Sequence, residues 1–451
     1  MAETTAGTLH RILGVGFGLA LAFGCTIGVG ILRLPGVVAA ALGDRPLIMT
    51  FWALGGLYAL MGAVAVTELA VMIPETGGFR VYARRAYGEG VGFAIGWCDW
   101  LNNVSAVAYA SMTAVTFLGV LWPPVSAVNP SALAVAVLAV FTAVHWIGLR
   151  LGSSLTEIIS VVIALLLMTL VVCCLFVAPA AATAPVRNSA AALPWMSTGM
   201  ILMVVPALRA ILTAFDGWYS RIYMAEENKQ PVKTLPRAII GGTLLIATLY
   251  LLINWAFVRV LPMPVLAASK LPAADAARLV FPRGGAELVT VISLLTILSL
   301  LSSILLVAPR ILYAIGRDGL LTQRAAVVSE GGTPRVALLL TSLMVVAVIL
   351  SGSFEQVVAM YAVLFLVTYA STFLAVFVLR YREPAVARPF KAVGYPFSTA
   401  SVLIGSVGFL IAAVVEDLRS GVTAGVFLGA CIPVYLWLAR DRRLRARASA
   451  A

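Results

Sequence analysis

The chain has 451 residues and carries 31 Lys and Arg against 19 Asp and Glu, a formal net charge of +12. Only 11% of its residues are charged and 62% are hydrophobic, whereas a soluble globular domain is about a quarter charged. Water is therefore excluded as the main solvent. The apolar runs are far too long for barrel strands, so the expected fold class is an all-α polytopic membrane protein.

About twenty apolar residues cross the hydrocarbon core. Runs between polar or Gly/Pro breaks place twelve spans at 12–41, 47–73, 90–121, 131–149, 155–178, 197–225, 236–260, 286–316, 335–352, 356–380, 398–416 and 421–439. The first run is too long for a removable leader and carries no small-residue cleavage site before the second. Basic residues follow every even-numbered span: Arg80, Arg84 and Arg85 after the second, Arg150 after the fourth, Lys229, Lys233 and Arg237 after the sixth. Arg317, Arg324 and Arg335 follow the eighth, Arg380, Arg382, Arg388 and Lys391 the tenth, and five arginines from Arg440 to Arg447 the last. Of the 31 cations, 21 fall on that face, 7 on the other and 3 within spans. This asymmetry predicts a multi-pass cell (inner) membrane protein with both termini cytoplasmic. It also assigns the positive charge to orientation and to anionic lipid headgroups rather than to nucleic acid.

The five cysteines, Cys25, Cys98, Cys173, Cys174 and Cys431, all lie in apolar runs without metal-ligand spacing, and the two histidines are His10 and His145. A metal site or a histidine-based catalytic group has little material, and no cofactor is expected.

Two spans are interrupted where lipid offers the backbone nothing. Span 1 holds Gly24-Cys25-Thr26-Ile27-Gly28-Val29-Gly30, and glycine costs a helix about 1 kcal/mol relative to alanine. Span 6 holds Ala214-Phe215-Asp216-Gly217-Trp218, and an acid at that depth normally faces a cavity. Breaks in the first and sixth spans point to a five-plus-five inverted repeat, 12–178 and 197–380, with a ligand site at its midplane and extra helices at 398–439. All of it forms one transmembrane domain, 1–451. Bare N–H groups at Thr26 to Gly30 suit a carboxylate, and carbonyls near Ile27 and at Phe215 to Gly217 suit an ammonium. Close small-residue packing is the alternative role of the span 1 glycines, and capping the inner part of span 6 that of Asp216.

At these residues the sequence resembles the amino acid–polyamine–organocation superfamily, in particular bacterial permeases related to the L-type amino acid transporters. Gly24 to Leu32 resembles G-x-x-I-G-x-G-I-F, and Glu68-Leu69 with Ile73-Pro74-Glu75-Thr76-Gly77-Gly78 resembles E-L-x-x-x-I-P-x-S-G-G. Ala214 to Trp218, Ala225 to Pro231 and Leu235-Pro236-Arg237-Ala238 are similar to A-Y-D-G-W, E-x-K-N-P and L-P-R-A. Two further segments, Arg310 to Ala314 with Arg317-Asp318-Gly319 and Thr333-Pro334, and Arg388 to Lys391 with Gly394-Tyr395-Pro396, resemble the family's loops after helix 8 and before helix 11.

The resemblance implies a secondary transporter or exchanger of an α-amino acid working by alternating access. Its carboxylate would rest on the span 1 backbone at Thr26, Gly28, Val29 and Gly30, with Cys25 and Ile27 beside them, and its amine on carbonyls of both breaks. Asn103, Val107, Ser299, Ser302 and Ser303 are the implied selectivity residues, although each serine has its own helix carbonyls as an alternative partner. Thr213 stands where many relatives carry a gating aromatic, which passes the gate to Phe215 or Trp218. Ile163 stands where some proton-coupled relatives place a lysine, and span 5 has no lysine, so coupling to a proton or to a counter-substrate stays open. A polyamine or modified amino acid is the alternative substrate, with Asp216 meeting a second amine.

Arg33, Arg209 and Arg221 lie within spans, where arginine is costly unless paired or snorkelling. Arg33 and Arg209 fall on the outer side and are expected to reach outer acids, headgroups or an anionic group of the solute. Arg221, with Asp99, is a candidate cytoplasmic gate pair. An intramembrane enzyme using Glu68, Asp99, Asp216 or Glu226-Glu227 is the rival class, a channel the next.

Overall fold

The computed structural model describes residues 9–177, 194, 197–351 and 354–450. Among them the chain is all-helical apart from one isolated parallel bridge between Leu13 and Asn228. Span 1 is two helices, α1 (Val15–Thr26) and α2 (Val29–Leu42), bent by 50° at the break. Then come α3 (Arg45–Met72), α4 (Phe79–Tyr87), α5 (Glu89–Leu121), α6 (Pro130–Ile147) and α7 (Leu149–Leu175). The second half holds α8 (Thr198–Ala214), α9 (Pro231–Val260), α10 (Met263–Ala268), α11 (Pro272–Val280) and α12 (Gly285–Arg317). It closes with α13 (Arg335–Ser351), α14 (Phe354–Arg382), α15 (Phe397–Glu416) and α16 (Leu418–Ala450).

Nine of the described helices are long and apolar enough to cross a membrane, the bent α1–α2 pair makes a tenth, and shorter apolar helices cover Met203–Ala214 and Arg335–Ser351. The chain is therefore a multi-pass membrane protein. Span 6, expected over 197–225 with an interruption at 214–218, is broken there. Its helix ends at Ala214, a turn follows, and a 3₁₀ arm runs from Ser220 to Glu227 with Met224 off helical geometry. The last helix also continues past 439, because its Arg- and Ala-rich tail favours helix and Arg442 finds partners in Glu89 and the Asp318 carbonyl, at 2.7 and 2.9 Å. The short helices α4, α10 and α11 were not expected. Their apolar stretches are too brief for a hydropathy window sized to a bilayer.

α1 packs on α7, α9 and α12; α2 lies on α8 and α10; α12 lies on α5 and α7, and is the most buried span. α15 and α16 sit at the rim, against α14, α3 and α5. Small residues set how closely the central helices approach. A Cβ on Gly24 would fall 2.1 Å from the Ser303 hydroxyl, and one on Gly55 2.3 Å from Ile211.

A close approach of backbone to backbone joins the two breaks. Gly217 has φ +109°, and a Cβ there would stand 2.4 Å from the Cys25 carbonyl oxygen and 2.9 Å from the Thr26 nitrogen. No flexible side chain can yield, since both neighbours are backbone. Gly217→Ala is therefore expected to lower the thermal stability of the purified protein by about 1–3 kcal/mol from backbone strain alone. A variant melting with the wild type would show that the breaks do not touch there.

Candidate functional site

The first break is a failure of the hydrogen-bond ladder over two residues. Ile27 N–H still reaches Phe23 O at 2.7 Å, but Gly28 N–H turns back to Thr26 O at 3.0 Å. Gly28 then opens α2 in an extended conformation and, having no side chain, caps nothing. The N–H groups of Val29, Gly30 and Ile31 begin the new helix without a residue four back to bond. The bare donors are thus 29–31 rather than the expected 26–30, because Ile27 and Gly28 are still bonded locally.

The second break ends in bonds of its own. Phe215 N–H reaches Ile211 O, Asp216 N–H reaches Thr213 O at 3.3 Å, and Ser220 N–H reaches Gly217 O at 3.1 Å across the turn. Tyr250 on α9 joins the two breaks: its hydroxyl reaches Thr26 O at 3.1 Å and Ala214 O at 2.9 Å. A buried tyrosine in an apolar span must find an acceptor for its hydroxyl, and that was the available signal for a residue the sequence reading missed.

Around the breaks, Cys25, Gly28, Val29, Gly30, Asn103 and Asp216 are half-exposed and Thr213 is exposed. A Cβ on Gly28 would touch nothing closer than the Gly30 nitrogen at 4.0 Å. The space beside Gly28 is thus open, a crevice against the first break. Thr26 and Ile27 are buried behind it, as is Val107.

Below the crevice the way is closed by aromatic rings. Trp218 stacks on Tyr369 at 6.0 Å between centroids, Tyr369 on Phe373 at 5.6 Å, and Phe79 packs against Tyr219 at 4.7 Å. The Tyr369 hydroxyl donates to Asp216 Oδ1 at 3.0 Å, so the acid of the break is tied to this plug. Tyr223 donates to Asp99 Oδ1 at 2.9 Å, and Asn103 donates to the same oxygen at 3.2 Å.

A layer of ion pairs lies beyond the rings. Asp318 accepts from Arg80 and, at 2.7 Å, from Arg84, which also reaches Glu75 at 2.6 Å. Glu226 joins Arg317 at 2.7 Å to the Thr76 N–H at 2.9 Å. Glu68 takes Arg380 at 2.6 and 2.9 Å, and the buried Glu227 takes Arg310 through a two-pronged contact at 2.6 and 2.9 Å. These segments carry the basic clusters, so the charged face is the closed one.

The other expected residues have contacts of their own. Ser302 faces His145 and Thr156 at 3.2 and 3.1 Å, on the side of α12 turned to α6 and α7. Ser299 lies 3.5 Å from Ser160, whose hydroxyl donates to Ala20 O at 2.9 Å. Ile163 is buried, and Ser160, almost one turn earlier, makes the link from α7 to α1. Phe215 packs on Trp52 and Tyr250 against the Gly55-Gly56 face of α3, away from the crevice, so of the two proposed gating aromatics Trp218 is the one in the plug. The Arg221–Asp99 ion pair does not form: Arg221 donates to Asn228 and Gly14, whereas Asp99 accepts from Tyr223 and Asn103. Arg209 reaches Glu416 at the outer end of α15, and Arg33 is exposed. No cluster of three or more His, Cys, Asp or Glu able to hold a metal occurs among the described residues.

Two helix breaks that meet inside a bundle of apolar helices suit a membrane transport protein. The chain belongs to the amino acid permease family, whose model matches residues 18–436. It is a permease-family protein and not an enzyme. It is 26% identical over 443 residues to the serine/threonine exchanger SteT of Bacillus subtilis, covering 96% of this chain and 98% of that one. It is 24% identical over 423 residues to the b(0,+)-type amino acid transporter 1 of Mus musculus, covering 92% and 85%. An uncharacterised transporter of Mycobacterium tuberculosis shares 29% identity over 270 residues, 60% of this chain and 58% of that one.

Removing the carboxylate at Glu227 strands a guanidinium that is 2% exposed. Glu227→Gln is expected to cost about 3–5 kcal/mol in thermal or denaturant unfolding, and pairing it with Arg310→Met to recover most of that loss. Equal stability of the single and double variants would refute the pairing.

Proposed function

We propose that the chain is a secondary transporter, working as an exchanger or permease, that moves an α-amino acid across the cell (inner) membrane by alternating access. The observation that carries this is the set of uncapped N–H groups at Val29 to Ile31, opening onto vacant space beside Gly28 at the mouth of a helix dipole. A carboxylate fits those donors. The ammonium goes to carbonyls left over at the two breaks and to the neighbourhood of Asp216, with Thr213 and Asn103 beside the side chain of the solute. Cys25, Thr26, Gly217 and Trp218 shape the floor. The named activities of the bacterial exchanger and the mammalian transporter point to the same solute class.

The sealed basic face is the cytoplasmic one, so both termini lie inside and the crevice opens outward. Twelve spans in a five-plus-five inverted repeat with two added helices account for interruptions in the first and sixth. Ser160 occupies the contact between α7 and α1 with a neutral hydroxyl, which favours counter-substrate exchange over a lysine-based coupling device.

Liposomes loaded with an amino acid should take up a labelled one saturably, and faster than empty liposomes. Ohmic current or chemical change of the solute would overturn the reading. Gly28→Val should fold, because its added methyls enter open space in an extended conformation, yet weaken binding of that amino acid by about tenfold or more, roughly 1.4 kcal/mol. Unchanged affinity in a thermal-shift titration would move the carboxylate elsewhere. Reporter fusions in the 381–396 loop and after Ala450 should both report the cytoplasm.

A further inference from the structure

Arg221 is wholly buried in the 3₁₀ arm that follows the second break. Its Nη2 and Nε donate to Asn228 Oδ1 at 2.6 and 3.1 Å, and Nη2 reaches the Gly14 carbonyl at 3.3 Å, just before α1. The guanidinium carbon stands 5.0 Å over the Phe17 ring, on the first turn of α1. Asn228 is itself fixed, donating to Met224 O and Ala225 O at 2.9 and 3.0 Å. Its oxygen is therefore aimed before Arg221 reaches it.

The same stretch is zipped by backbone. Leu13 N–H donates to Glu227 O at 3.0 Å and Lys229 N–H donates to Leu13 O at 3.2 Å, while Arg310 anchors the Glu227 side chain. Beside this strap lies a cavity of about 350 Å³, between residues 12–17 and residues 150–157 at the start of α7. This hollow is largely open to the outside and borders the inner half of α1. Among the described residues Arg221 Nη1 has no acceptor.

The geometry points to Arg221 as the positioning residue that decides which side of the membrane the crevice faces. It binds the arm beyond Gly217 to the inner half of α1, so a shift at the breaks is felt at the strap. Inward opening requires Arg221 to give up Gly14 and Phe17 while keeping Asn228. This rests on the alternating-access reading above and adds the residue that holds one of its states.

The test is sidedness, which a merely structural role would not move. Protein keeping Cys25 as its one cysteine is placed in liposomes of known orientation and treated with a membrane-impermeant thiol reagent on either side. In the parent, Cys25 should react from the crevice side. Arg221→Gln should raise the rate from the cytoplasmic side about 10-fold or more, the scale of a lost charge-assisted hydrogen bond, and lower the rate from the other side. Arg221→Lys, which keeps the charge over Phe17, should fall between the two. Asn228→Ala removes the anchor and should shift the sidedness in the same direction, and it decides the matter if Arg221→Gln fails to fold. Folded variants that label as the parent does would overturn the assignment. Because labelling needs no substrate, a sidedness shift in a protein that carries no amino acid would sink the transport reading and leave the clasp standing.

Discussion

A polypeptide crossing lipid has nowhere to send an unpaired N–H or C=O except to itself. The candidate site can be traced to the two places where the chain breaks that constraint. At Thr26 to Gly28 and at Phe215 to Tyr219 the helical ladder stops, and the freed groups must be met by short turns, by the Tyr250 hydroxyl, by the opposite break or by water. The left-handed Gly217 lets the breaks approach until peptide planes touch, and Gly28 leaves the adjoining donors uncovered. What makes the site polar is thus mostly main chain, in a region where polar side chains are few.

The surroundings keep that polarity confined. Aromatic rings fill the layer below, and they carry their own polar handles: Tyr369 on Asp216, Tyr223 on Asp99. Arginine–carboxylate contacts then fill the layer at the membrane surface. Buried ion pairs such as Arg310–Glu227 are weak evidence for net stability, since desolvation offsets much of their attraction, but they are strict about geometry. Contacts of that kind fit together in one register.

Much of this was legible in the sequence. Run lengths located the long apolar helices, and the glycines of 24–30 with Asp216 marked the breaks. Rotation about a helix axis was harder to read. Amphipathic pattern fixes a helix's phase only when one side is polar, and α12 is apolar and buried nearly all round. Ser299, Ser302 and Ser303 therefore gave no hint of which neighbour each would meet, and Ser302 turned to His145. Arg221 and Asp99 were matched by depth and opposite charge, but the tightly turned arm after Gly217 points Arg221 at Gly14 and leaves Tyr223 for Asp99. Tyr250 escaped because its acceptors are carbonyls that exist only once the helices are broken.

Asp318 joins parts of the chain that are made far apart in time. Its carboxylate receives Arg80 and Arg84 from α4, and its carbonyl receives Arg442 from the end of α16. During synthesis the first two partners wait for α12 to arrive, and the third follows 124 residues after Asp318. This face therefore acquires that brace only once α16 has been made, and a nascent chain stalled before Arg442 would lack it.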